Sequence, residues 1–185
     1  MKIEKTTILI FVAVTFVFGL LTNANANIIV NGSFEQGTDP GVFLPLPDGS
    51  TAIAGWTTTG VSTDYIGTLW VADDGDRSLD LVGSPGLGGV MQTFTTIPNV
   101  NYIVTFALAG NPKADGLPVT SMCVEAAGQS ADYSYDVTGK DFQNMGWVNR
   151  EWQFTADNSG STTLKFYALD ARGDVGQFGN ALDNV

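Results

Sequence analysis

A chain of 185 residues with 19 acidic and 8 basic side chains carries a formal net charge of −11, which repels phosphate backbones and excludes a nucleic-acid partner. Histidine is absent, which removes Ser–His and Cys–His nucleophile pairs and every zinc site built on imidazole. The single cysteine, Cys123, forbids an internal disulfide, and its place in the run Val119 to Ala126 reads as a buried, inert thiol.

The chain opens on Lys2 and Lys5, an apolar run from Ile8 to Leu21, and the small-x-small triplet Ala24-Asn25-Ala26. This is the layout of a cleavable signal peptide over residues 1–26, and the run is short of the ~20 residues that span a bilayer. An uncleaved anchor is the alternative. With no cysteine beside the cleavage point, a lipoprotein is not expected. The mature part, residues 27–185, is long enough for one domain with its own core. It is expected to be secreted, extracellular or at the cell surface, with no stable membrane insertion after cleavage.

The mature chain begins Ile28-Ile29-Val30-Asn31-Gly32-Ser33-Phe34-Glu35, a β-branched run followed by a turn. Alternation sends Phe34 into a core and Glu35 away from it. Gln36 to Ser50 is rich in Gly, Pro and Asp and reads as a long surface loop. Strand candidates then follow at Ala52–Thr59, Val61–Ile66, Ser78–Val82, Gly89–Thr96 and Asn101–Ala109. The series continues with Val119–Ala127, Ala131–Asp136, Trp147–Ala156, Thr162–Leu169 and a last strand, expected to be cut short at Val185. Several runs alternate: Tyr102, Val104, Phe106 and Leu108 share a side, as do Leu164, Phe166 and Ala168, with Thr163, Lys165 and Tyr167 opposite. No 3.6-residue apolar period appears beyond the leader. The pattern predicts an all-β fold, an antiparallel β-sandwich of jelly-roll form.

Two constellations invite chemistry. The acidic turn Asp73-Asp74-Gly75-Asp76 offers carboxylates and carbonyls to a calcium ion, although its order is not that of an EF-hand. A solvated turn is the competing reading. Among the aromatics, Trp56 reads as core. Tyr65 and Trp70 flank Gly67-Thr68 beside Asp64 and are candidates for a sugar platform, where ring faces meet the C–H faces of a pyranose. Asp64 would accept hydroxyl hydrogen bonds, yet adjacent strand residues point to opposite faces, so Tyr65 with Trp70 is the favoured pair. Trp147, after Asn144-Met145-Gly146, stays open between platform and core. No nucleophile elbow, zinc-protease or phosphate-loop motif occurs. Glutamate is scarce after residue 26, with only Glu35, Glu125 and Glu151. Asn31-Gly32-Ser33 also matches a glycosylation sequon.

Taken in order, Asn31-Gly32-Ser33-Phe34-Glu35, Ala54-Gly55-Trp56, Val61 to Gly67, Asp76 to Leu81, Asn144 to Trp147 and Leu182-Asp183-Asn184-Val185 resemble the DUF642 and choice-of-anchor C group of secreted, galactose-binding-like domains. The resemblance spans Asn27 to Val185. It implies a structural calcium ion tying the two chain ends, with Glu35 and Asp183 as ligands and oxygens near Ser33 and Arg77 completing the shell; Asp80 is then a solvated strand residue. It implies a non-catalytic domain that binds an extracellular or cell-wall polysaccharide. The group often continues into a C-terminal anchoring segment, which does not precede Val185. A structural surface protein with a protein partner is the second reading, and a glycoside-active enzyme the third.

Overall fold

The computed structural model describes residues 27–113, 118–171 and 176–185, so the expected signal peptide lies outside the described residues. Every named element is a strand: β1 (Phe43–Pro47), β2 (Thr57–Gly60), β3 (Ser62–Ile66), β4 (Ser78–Asp80), β5 (Val82–Gly83), β6 (Gly86–Thr95), β7 (Asn101–Gly110), β8 (Val119–Ala126), β9 (Gln129–Asp136), β10 (Val148–Thr155), β11 (Ser161–Ala168) and β12 (Asn180–Asp183). They form two antiparallel sheets, ordered β1-β3-β4-β12-β7-β10 and β2-β6-β11-β8-β9, with β5 paired to β6. The expected sandwich is the observed one.

The alternation read from the sequence sets which side chains meet between the sheets. Phe106 of β7 packs edge-on to Phe166 of β11, 5.1 Å between centroids, and to Tyr133 of β9 at 5.2 Å. Leu79, Leu108 and Leu182 from the first sheet and Met122, Val124 and Leu164 from the second are fully buried. Each such apolar side chain contributes about 1.5–3 kcal/mol on leaving water. The lateral edge is closed by side chains: Tyr133 donates its hydroxyl to the Glu151 carbonyl, and Gln129 exchanges two hydrogen bonds with the Thr155 backbone.

The first and last described segments meet. Val185 N–H donates to the Gly32 carbonyl, and the Gly32 Cα lies so close to the Val185 carbonyl that a Cβ there would collide with it. Asn31 organises the turn beside it. Its side-chain amide donates to the carbonyls of Gln36 and Ala54, and its own carbonyl receives the Trp56 indole. Phe34, fully buried, packs 5.3 Å from Trp56, which is core as expected.

Two sequence expectations are corrected. The stretch read as a long loop contains β1, an edge strand antiparallel to β3. Pro45 and Pro47 disguised it, because proline is tolerated only where a strand has an unpaired side. Asp80 is not solvated: it is 1 % exposed and accepts from Val82 N–H, Gly179 N–H and the Asn111 side-chain amide.

Candidate functional site

The acidic loop lies against two carboxylates, Glu35 and Asp183, supplied by the first and last described segments. Asp183 sits in β12 between β4 and β7, and its Oδ2 accepts the backbone N–H groups of Asp73 and Asp74 at 2.8 and 3.1 Å. Its Oδ1 accepts Asn184 N–H at 2.7 Å. Glu35 Oε1 accepts the N–H groups of Asp76 and Arg77 at 2.9 and 2.8 Å. Gly75 lies between these two anchors with φ +70°, and a Cβ there would stand 2.5 Å from the Glu35 carboxyl. Only a glycine lets the loop wrap this closely. The loop therefore turns its backbone donors inward, while the side chains of Asp73, Asp74 and Asp76 are exposed.

Burial pushes the Asp183 carboxyl up to about 7, against the opposing pull of the Asp74, Asn184 and Asp73 N–H groups. Ser33 is half-buried in the turn that carries Glu35. Among the described residues no three acidic or thiol side chains converge as a metal cluster.

Beside this loop opens a cavity of about 520 Å³. Pro40, Gly41, Gly67, Trp70 and Val71 line it on one side, and Glu35, Asp39, Asp76 and Arg77 bring charge to it. Arg77 Nη1 donates to the Tyr65 hydroxyl at 2.8 Å and to the Gly37 carbonyl at 3.4 Å, and the guanidinium lies 5.5 Å from the Tyr65 ring centre. The hydrogen bond to Tyr65 holds Arg77 above the usual guanidinium range.

The expected aromatic platform is corrected by burial. Tyr65 is fully buried, its hydroxyl donating to the Phe34 carbonyl, and its ring offers no face to solvent. Trp70 is 4 % exposed, donates its indole N–H to Ser78 Oγ at 2.8 Å, and packs 6.3 Å from Phe142. It supplies a wall of the cavity, not a platform. Trp147 is half-buried and donates to the Val71 carbonyl, pinning the same loop from outside. Asp64 is buried and accepts the N–H and hydroxyl of Ser84, and burial raises its carboxyl from the ordinary range.

Asp64 stands opposite Asp80 in the β3–β4 register. Desolvation pushes Asp80 up to about 8, with a small upward contribution from Asp64, against the Asn111, Val82 and Gly179 donors. Neither carboxylate lines this cavity. The sequence reading missed Asp39 and the side chain of Arg77; the arginine's only local signal was its place after the acidic turn.

These features define a jelly-roll sandwich domain, and the comparisons extend this to a family. The chain matches the DUF642 model, described as a protein of unknown function, over residues 27–185, and belongs to that family. It is 30 % identical over 173 residues to halomucin of Haloquadratum walsbyi, covering 90 % of this chain and 2 % of that protein. The chain thus spans a small fraction of that curated relative. Among solved structures it is similar to a family 16 carbohydrate-binding module-2, with TM-score 0.50, 17 % identity, and coverage of 86 % of this chain and 96 % of the other. It is also similar to an arabinose-bound α-L-arabinofuranosidase, with TM-score 0.51, 14 % identity, and coverage of 85 % and 25 %. At these identities the likeness is one of fold.

Proposed function

We propose that this protein is an exported, non-catalytic carbohydrate-binding domain whose cavity beside the acidic loop takes a sugar unit of an extracellular or cell-wall polysaccharide. The observation that carries the reading is the cavity itself. Its volume falls in the range of small-ligand sites, and it joins an apolar wall to a few polar groups from separate loops. Asp39 and Asp76 would accept sugar hydroxyls, Arg77 would donate to them, and the wall of Trp70 and Val71 would take a C–H face. The resemblance to the choice-of-anchor C group, together with the leader-like residues 1–26, supports placing the mature domain outside the cell or at its surface.

A calcium ion held by Glu35 and Asp183 is part of the proposal. The donor chemistry fits. Glu35 and Asp183 face one loop, and among the described residues no cationic side chain bonds to the fully buried Asp183 and Glu35 Oε2 accepts no hydrogen bond. The ion would be structural, with Ser33 and Arg77 contributing backbone oxygens, and would offset the burial that raises Asp183. The non-catalytic role belongs to the same proposal: of the carboxyls at the cavity, Glu35 is already engaged by the Asp76 and Arg77 N–H groups, and the buried pair Asp64 and Asp80 does not line it. A protein partner is the second reading; the exposed Ile28 and Ile103, which line a separate cavity of about 630 Å³, favour it.

The test is titration of the mature protein with a panel of soluble polysaccharides. Asp39→Ala is expected to weaken binding by about 1–3 kcal/mol with an unchanged melting temperature. Equal affinity of the two proteins would remove the cavity from this reading.

A further inference from the structure

The face of the second sheet turned away from the core is open to solvent: Thr93, Thr163, Glu125, Ser130, Asp132 and Ser134 are all exposed. The register aligns one row of residues straight across it, Thr59–Gly89–Tyr167–Cys123–Asp132, over the five strands from β2 to β9. Gly89 has no side chain, and Cys123 is buried, so the row is low on both sides of Tyr167. Cys123 faces outward in this row yet is only 2 % exposed, so its neighbours lie over the thiol, and Tyr167 is its register partner on β11. The phenol therefore leans across β8 over the short cysteine side chain instead of standing out from the sheet. Tyr167 remains half exposed, and what lies over its ring is the ammonium of Lys165, 4.7 Å from the ring centre.

The next row supplies Thr57, Met91, Lys165, Glu125 and Ser130 in register. Hydroxyl pairs flank the ring, with Thr93 and Thr163 2.7 Å apart and Ser121 and Ser134 3.3 Å apart. The chemistry selects among occupants. The exposed large apolar residues of these strands, Leu87, Val119 and Leu169, lie toward one end of the face, so the centre around Tyr167 offers no patch for a protein partner. Lys165 lies in register with Glu125, and Asp132 is two residues along β9 from Ser130, so neither sign forms a block that would attract a polyion. A recumbent aromatic ring among hydroxyls and isolated charges matches an uncharged polyol whose rings have C–H faces.

We propose that this face, centred on Tyr167, is a second saccharide-binding surface that takes a neutral polysaccharide chain lying across the strands, and that the domain is bivalent. The inference rests on the carbohydrate-binding reading above but not on the cavity beside the acidic loop. The Tyr167 ring stacks on one pyranose, Lys165 moves aside to donate to a hydroxyl, and Glu125 and Asp132 accept from the units on either side.

The experiment is calorimetric titration of the mature protein with hydroxyethylcellulose and a mixed-linkage β-glucan, with polygalacturonate as the anionic comparison. Tyr167→Ala is expected to weaken neutral-chain binding about tenfold, the loss of one anchoring aromatic, with an unchanged melting temperature. Tyr167→Phe should keep the affinity, because the ring carries the contact. Cross-linking of the soluble glucan, read as turbidity, should appear with the wild type and vanish with either Tyr167→Ala or Asp39→Ala. If Tyr167→Ala binds as the wild type does while Asp39→Ala abolishes binding, the proposal falls and the cavity reading stands. If neither neutral chain binds the wild type, this proposal falls, and binding of polygalacturonate that is lost in Asp39→Ala would leave the cavity reading standing. A change of oligomeric state in Tyr167→Ala without loss of glucan binding would make the face a protein interface. Should Tyr167→Ala fail to fold, Glu125→Ala and Lys165→Ala decide the matter on the same readout.

Discussion

The two outward faces of this sandwich differ in how they treat polar side chains. On the first sheet, Asp64, Ser78, Asp80 and Asp183 are all buried. The chain from Thr68 to Arg77 supplies much of what covers them: Trp70 bonds to Ser78, and the backbone of Asp73 and Asp74 bonds to Asp183. On the second sheet, residues of equal polarity such as Thr163, Glu125 and Asp132 remain in water. Burial makes the same chemical groups structural on one face, where each must find donors or change protonation, and leaves them available on the other. A polar strand face is therefore not by itself a binding face; what decides is whether a loop returns over it.

The contrast can be broken most severely at Trp70. Trp70→Ala should destabilise the domain by about 3–5 kcal/mol, because it empties the space of a buried indole and leaves Ser78 unpaired. Denaturant unfolding measures this, and a loss under 1 kcal/mol would show that the loop does not seal the face. The same substitution would have been a binding variant had the indole been exposed.

The pH dependence follows from Asp80. Its folded value, about 8, lies above the ordinary 3.8. The folded state thus keeps a proton that the unfolded chain releases, and stability should fall as pH rises from about 4 to about 8, then level off. Asp183, raised to about 7, acts in the same direction over the lower part of that window. Asp80→Asn imitates the protonated carboxyl and should flatten the decline. An unchanged slope in melting temperature against pH would show that Asp80 ionises freely in the fold.

Calcium sharpens the comparison on a smaller scale. Adding it at 100 times its dissociation constant should stabilise the domain of residues 27–185 by about 2.7 kcal/mol. Glu35→Gln should remove that response while keeping one acceptor for the Asp76 and Arg77 N–H groups. A melting temperature indifferent to both calcium and chelator would delete the ion. The smallest effect belongs to the open face: Thr163→Ala should change stability by no more than about 0.5 kcal/mol, although it breaks a hydrogen bond to Thr93.

Much of the site was legible only in part. Glu35 and Asp183 were picked out by resemblance, and the structure sets them at the two ends of one loop, each engaged by backbone N–H groups. Those donors carry no side-chain signature, so no residue type announces them. Tyr167 was visible as the outward member of an alternating strand, but its partners Cys123 and Gly89 lie 44 and 78 positions away and meet it only through register.

By itself the sequence determined the strands, their inward residues and hence the sandwich, because period-two alternation is a local property that packing reinforces. It also determined that Phe34 and Trp56 are core. Only the tertiary structure decided that Trp70 and Asp80 are buried on an outer face, that Tyr65 shares the inner face with Leu79, and that Pro45 and Pro47 belong to an edge strand. The physical reason is that burial on an outer face depends on a loop folding back from a distant part of the chain, and tolerance of proline depends on which side of a strand lacks a neighbour; neither is encoded in the residues near the position concerned.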